Sequence, residues 1–534
     1  MTASRASLLG GLCAALVMLA GPAAAQLSFD DRPTGFLTPR TGGMPPGAWA
    51  DTTLASAKRL VASLPAAPRS RALRDLQFKV LVSELLPPAP DGSPPPGLFR
   101  QRVERLAAMG EGESLNEVVR SAGAHADPAI AAITVNALML AGEREAACNI
   151  VARHALPDPF GLRAALACQL AAGDNAGAMA SAAQVRNIDP ALVALVEMAA
   201  GARPPAVQPQ AILDGPTFVM LDLAYVPPPP LALRATQPPL VRAVVGHRTV
   251  PLAQRVDIAE RGESLAIVEA ARLSDLYADA VRAGAALPPP QLRRAQLVVR
   301  AREAAGSAEI MASIAAIYGD ARNSVLFPTV ARASAAGLLN LPPQPRHADV
   351  AQEAMRGFLL LGDPRLVREW TRLALLAARN NARALAALDR LMPLVAISGT
   401  EPPRALPPDE VNRWYEVIRQ DDPARAPLRG HLLLELLRAT GADIAPQSTE
   451  LPEAPPAGAR LVSAQPATLQ ALARAATARR QAETSLLAAI AAGDTALVEL
   501  HPASVGAIVR TLRAVGEDHA ARLFAIEVAI AHGL

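Results

Sequence analysis

Residues 169–190 read QLAAGDNAGAMASAAQVRNIDP: an apolar run, a Gly-Asp break, a second run of small residues, then Asp-Pro. The same phrase recurs in LMLAGEREAACNIVARHALPDP (138–159), FLLLGDPRLVREWTRLALLA (358–377), AAIAAGDTALVEL (488–500) and LRAVGEDHAARLFAIEVAIA (512–531). Glycine ends a helix because it takes the left-handed conformation without a Cβ clash. The carboxylate after it sits where the next helix exposes unpaired N–H groups and the positive end of its dipole. Each phrase therefore predicts a helical hairpin, and the chain is expected to be a succession of them.

Two of these hairpins resemble the tetratricopeptide repeat, a helix-turn-helix unit of 34 residues. That family has Gly at the hairpin turn, a small residue five positions later and Pro seventeen later. Here Gly142 is followed by Ala147 and Pro159, and Gly173 by Ala178 and Pro190, over units of roughly 128–159 and 160–192. Gly516 has its small residue at Ala521. The chain departs from the family in spacing, since Gly142 and Gly173 are 31 residues apart, and in the first-helix Trp and Tyr positions, which hold other residues. The resemblance implies an all-α fold, a right-handed solenoid of helical hairpins forming a tetratricopeptide-like superhelix. It also implies a concave surface of the kind that binds proteins or peptides.

Composition agrees with close helix packing. Hydrophobic residues make up 51% of the 534 but aromatics only 3%, so Ala, Leu and Val carry the core. Helical period is plain in 349–361 (Val350, Ala354, Phe358, Leu361), in 365–378 (Leu366, Trp370, Leu373, Ala377) and in Val505, Ile508, Val509, Leu512 and Val515. GPTFVMLDLAYV (215–226) is the segment whose helical assignment is least secure.

The first 25 residues have the pattern of a secretion signal: Arg5, an apolar stretch from Leu8 to Ala20, a Gly21-Pro22 break, and Ala23-Ala24-Ala25 as the cleavage site. Export to the periplasm of a bacterium, with cleavage after Ala25, is the expectation. The apolar stretch is too short for a permanent anchor across a bilayer of ~30 Å, so no permanent membrane span is expected. Cys13 lacks the leucine that a lipobox places three residues before its cysteine, and lies inside the apolar stretch. Without Arg5, the mature chain carries 51 basic against 49 acidic residues and no polybasic run, which gives nucleic-acid binding no electrostatic support.

Proline, at 49 residues, is the chief punctuation. It divides the mature chain into a helical segment at 26–96 ending in a Pro-rich linker, tetratricopeptide-like repeats at 97–204, a Pro-rich connection at 205–239, a hairpin array at 240–445, a Pro-rich linker at 446–458 and C-terminal hairpins at 459–534.

The chemistry that is missing narrows the function. Lys58 and Lys79 are the only lysines, and neither belongs to a Walker A motif or a Ser-x-x-Lys arrangement. GxGxxG, GxSxG, HExxH and CxxC are absent, and the eight histidines never pair at metal-binding spacing. No catalytic, metal or cofactor-binding residue is assigned. GESL occurs at 112–115 and 262–265 and is similar to the Glu-Ser motif of soluble lytic transglycosylases, peptidoglycan enzymes of which some carry a superhelical segment. Under that resemblance Glu113 or Glu263 is the acid, although the Gly-Leu-Met-Gln-like stretch of that family is missing. The competing reading is a capping box in which Gly112 ends a helix, Ser114 caps the next and Glu117 answers it. Trp370, Trp414 and Tyr415 suit core faces, the last two on a helix capped by Asp409.

Cys148 and Cys168 each lie ten residues from Asp158. If the PDP turn joins antiparallel helices, they stand at equal height and form a disulfide in an oxidising compartment; two buried free thiols are the alternative. Taken together, an exported, non-catalytic helical-repeat scaffold or adaptor of the cell envelope with a protein or peptide partner is expected. Peptidoglycan processing, with peptidoglycan association, is the alternative.

Overall fold

The computed structural model describes residues 29–202, 213–321, 324–400, 406–442 and 450–534. The secretion segment 1–25 with its cleavage point after Ala25, Cys13, and parts of the 205–239 and 446–458 segments lie outside the described residues. The protein is an all-α solenoid. Twenty-seven α-helices follow one another among the described residues, which otherwise hold short 3-10 turns and isolated β-bridges, and successive helices pack as neighbours along most of the array.

The turn phrase builds hairpins at four of its five places. Gly142 (φ 92°) and Gly173 (φ 80°) end helices α5 (Pro128–Ala141) and α7 (Phe160–Ala171) in the left-handed region, where an L side chain is strained. α6 (Arg144–Val151) and α8 (Asn175–Ala183) then fold back on them. Gly362 and Gly516 have the same sign of φ. At the fifth place Gly493 is followed by a 3-10 turn, Leu497–Glu499, rather than by an α-helix.

The carboxylates after these glycines divide by length. Asp174 accepts from Gly177 N–H at 3.0 Å and Asp363 from Leu366 N–H at 2.9 Å, so both cap as expected. Glu143 and Glu517 make no such bond. Their extra methylene carries the oxygens past the helix end, and Glu517 instead receives Lys79 Nζ at 3.2 Å and Gln481 Nε2 at 2.7 Å. The capping role expected for the two glutamates is thus corrected.

Segment 215–226 does form a helix, α10 (Gly215–Leu223). Asp214 caps Thr217 N–H at 3.0 Å, and the Gly215 N–H donates to Asn136 Oδ1 at 2.7 Å. Val219 and Phe218 are poor helix formers in isolation, but the helix is buried on nearly every side and packs on α5, α7 and α9 (Pro190–Ala199). Tertiary burial outweighs propensity there.

Two buried apolar clusters result. One, within residues 131–221, fills an arm made of α5 to α10. The other runs without interruption from Met44 to Leu534, so the Pro-rich pieces do not separate independent cores. Residues 87–96 strap α1 (Leu54–Ser63): Leu54 N–H donates to Ala89 O at 2.8 Å, Ala55 N–H to Asp91 Oδ2 at 2.8 Å, and Lys58 Nζ to Pro94 O. Leu451 is buried, and Pro452 O accepts from His431 Nδ1 at 3.2 Å, which fastens that proline stretch to α23 (Ala426–Thr440).

The array also closes on itself. α1 and α2 (Arg71–Val82), near the start, pack on α25 (Gln481–Ala492), and α2 packs on α27 (Asp518–Ala531). α27 touches α17 (Phe327–Ala333), α19 (Ala351–Leu361), α21 (Ala382–Ser398) and α23 as well, which is why its residues from Phe524 to Ile530 are all buried. Among the described residues no helix is long and apolar enough to cross a membrane.

Candidate functional site

Closure encloses a cavity of about 1500 Å³. Its wall is assembled from segments remote in sequence: the turn before α2, the end of α13 (Leu252–Ser264), α17, α19, α21, the end of α22 (Pro408–Asp421), the start of α23, the 496–498 turn and the end of α27. Eight arginines line it against five carboxylates, Glu263, Glu353, Asp421, Asp422 and Glu527. The excess positive charge is local, because the chain as a whole is nearly neutral.

The innermost carboxylate is Glu263, whose side chain is 0% exposed. Arg332 grips it with Nε at 2.6 Å and Nη2 at 3.1 Å, and Arg71 Nη2 approaches at 3.2 Å. Burial pushes this carboxyl up, but the Arg332 and Arg71 guanidiniums outweigh burial and hold it below the ordinary carboxylate range. A general acid needs the opposite shift. Glu263 is therefore a structural counter-ion for two cations on the wall.

Beside this group, burial raises the Glu527 carboxyl. Glu527 accepts from Ser70 Oγ at 2.5 Å and from Ala72 N–H at 3.3 Å, and so satisfies the start of α2 from the other end of the chain. His532 is buried on the same wall, and burial lowers it to about 4. Further round, Asp421 pairs with Arg390 at 2.8 Å. Asp422 is shared by Arg429 at 3.4 Å and Arg425 at 4.0 Å.

The two GESL sites differ from the capping-box reading. In the first, Gly110 (φ 78°) and not Gly112 ends the preceding helix, and Glu111 is the N-cap of α4 (Gly112–Ser121), which places Ser114 inside the first turn. Glu117 pairs with Arg120. Glu113 shares a hydrogen bond with Glu143, which, with burial, raises Glu143. In the second, Gly262 to Ser264 close α13 instead of opening a helix. Gly262 is tight there because a Cβ would meet Val268 Cγ2 at 2.5 Å.

Trp370 and Trp414 are fully buried and Tyr415 packs against the same core. The N-cap of α22, the helix of Trp414 and Tyr415, is Pro407 without a side-chain bond, and Asp409 lies in the first turn, which corrects the capping expected of it. Cys148 on α6 and Cys168 on α7 are bonded, with Cα atoms 5.5 Å apart, far from the cavity in sequence and in the separate core of the arm. Among the described residues no three His, Cys, Asp or Glu side chains gather as metal ligands.

Sequence reasoning missed the cavity arginines. They are drawn from about fifty spread along the chain, and only the short run PRSRALR (68–74), with Arg69 and Arg71, hinted at local concentration. No protein-family model, no curated protein and no solved structure matches the chain.

Proposed function

We propose that this protein is an exported, non-catalytic helical-repeat scaffold or adaptor of the bacterial cell envelope, binding protein or peptide partners. The carrying observation is the closed helical array around an arginine-rich cavity whose innermost carboxylate, Glu263, is already neutralised by Arg71 and Arg332. Such a surface offers charge and shape for recognition. The tetratricopeptide-like hairpins at Gly142 and Gly173 support the same reading by resemblance, since arrays of that class commonly present binding surfaces.

In-cell crosslinking of the full chain followed by mass spectrometry tests the proposal: discrete envelope proteins should be recovered, and none recovered would count against it. A muralytic assay of the purified chain addresses the peptidoglycan alternative. Activity lost in Glu263→Gln or Glu113→Gln, with the fold retained, would replace the adaptor reading.

A further inference from the structure

Six of the eight arginines on the cavity wall fall into two groups. Arg71 and Arg332 are spent on Glu263, and Arg390 on Asp421. Three others present their heads outward. Arg69 is exposed and touches only the Asp494 backbone oxygen, at 3.3 Å. Arg425 is 74% exposed and reaches Asp422 only at 4.0 Å, while Arg429 lies closer to that carboxylate. Arg460 is exposed on the loop that Val462 fastens to the 499–501 strip, with Val462 N–H donating to Glu499 O at 2.7 Å and His501 N–H to Val462 O at 2.9 Å. Arg69 and Arg460 therefore flank the 494–499 turn on one side of the cavity, and Arg425 opens α23 on its wall.

Between these cations the wall is apolar and exposed. Val325 is 87% and Val498 46% exposed, and Leu326 and Leu428 also line the space. The aromatic residues on the wall, Tyr318 and Phe327, are buried against each other at 5.3 Å between ring centres and offer no face for stacking a base. A nucleic acid or an inorganic polyanion would use the charges and leave the exposed valines in water. A peptide segment carrying both carboxylates and aliphatic side chains matches both features, and guanidinium forks suit carboxylates in geometry. The volume exceeds the ~300–1,000 Å³ typical of small-molecule pockets, as a segment of chain requires.

We infer that this cavity binds an acidic, aliphatic peptide segment, with Arg69, Arg425 and Arg460 holding its carboxylates and Val325 and Val498 its apolar side chains. The inference rests on the binding-protein reading above and names the chemistry of the partner.

The test is fluorescence anisotropy on the full chain with a labelled 12-residue peptide alternating Glu and Val, its Gln-Val counterpart, a polyphosphate chain and a 12-nucleotide single strand as competitors. The Glu-Val peptide should bind, and the Gln-Val peptide should bind at least tenfold more weakly. Arg69→Ala, Arg425→Ala and Arg460→Ala should each weaken the complex roughly 2- to 5-fold, the size of an exposed ion pair. Arg120→Ala, distant on α4, should change nothing. All three sites are exposed, so circular dichroism should find the variants folded.

Equal binding of the Gln-Val peptide, stronger competition by polyphosphate or DNA than by unlabelled Glu-Val peptide, unchanged affinity in all three arginine variants, or no binding at all would each overturn the inference. Peptide binding in solution without any envelope protein crosslinked in cells would leave the cavity assignment standing and remove the adaptor function.

Discussion

Ser70 Oγ and the Glu527 carboxylate meet at 2.5 Å across 457 residues of sequence. The contact joins the first turn of α2 to the middle of α27, and the Ala72 N–H reaches the same carboxylate. It is paralleled by Lys79 on α2 and Glu517, the N-cap residue of α27, 3.2 Å apart. These pairs fasten the two ends of the described array together, and Glu527 also lines the arginine-rich cavity.

Glu527→Ala leaves a buried serine hydroxyl and a helix N–H without an acceptor. A destabilisation of about 1–3 kcal/mol is expected, read as a lower urea midpoint, whereas Glu527→Gln, which keeps an acceptor oxygen, should lose less. Equal midpoints for wild type and the alanine variant would mean that closure is held elsewhere.

The division between aspartate and glutamate at the hairpin turns is testable in pairs. Asp174→Ala and Asp363→Ala remove a cap bond each and should cost about 1 kcal/mol. Glu143→Ala removes none and should leave stability within about 0.5 kcal/mol. A loss at Glu143 as large as at Asp363 would contradict the observed geometry.

Glu263 offers a third contrast. Glu263→Gln strands Arg332 on a buried wall without its counter-ion, while Arg71 keeps Glu269 at 3.2 Å, and a loss of roughly 3–5 kcal/mol is expected from breaking the buried Arg332 pair. Chemical denaturation measures it, and a neutral result would show that Arg332 reaches another anion.

Acid should weaken the fold. His532 is lowered by burial to about 4 from 6.5, so the unfolded chain binds its proton first. Its contribution is complete above pH 6.5 and is lost as pH falls through 4, amounting to about 3 kcal/mol. Glu263, held low by Arg332 and Arg71 against burial, loses its contribution in the same direction at lower pH. Glu527, raised by burial, works the other way, its contribution being present below its unfolded value and lost as pH rises. Urea midpoints between pH 7 and pH 4 should fall, and His532→Asn should flatten that fall; an unchanged slope in the variant would clear His532.

The arm's disulfide closes a loop of 20 residues, for which the chain-entropy treatment gives about 3 kcal/mol. Peptide mapping without reductant should recover Cys148 and Cys168 joined, and reduction should loosen the arm while the larger core keeps its hydrogen-exchange protection. Two free thiols would remove the bridge from the protein.

Local physics made the hairpins legible in the sequence. Gly142, Gly173, Gly362 and Gly516 are readable because the left-handed turn favours glycine, and the core faces of Phe358, Trp370 and Ile508 because a helix repeats every 3.6 residues. Whether a carboxylate two or three bonds long reaches a helix end was already a finer matter, and the glutamates at 143 and 517 turned elsewhere. What the sequence by itself determined is the alphabet of paired helices, since each turn and face is settled within about a dozen residues. Only tertiary structure decided that α2 meets α27 and that Arg69, Arg425 and Arg460 share one cavity. Such contacts depend on the accumulated angles between many packed helices, and no local pattern records that sum.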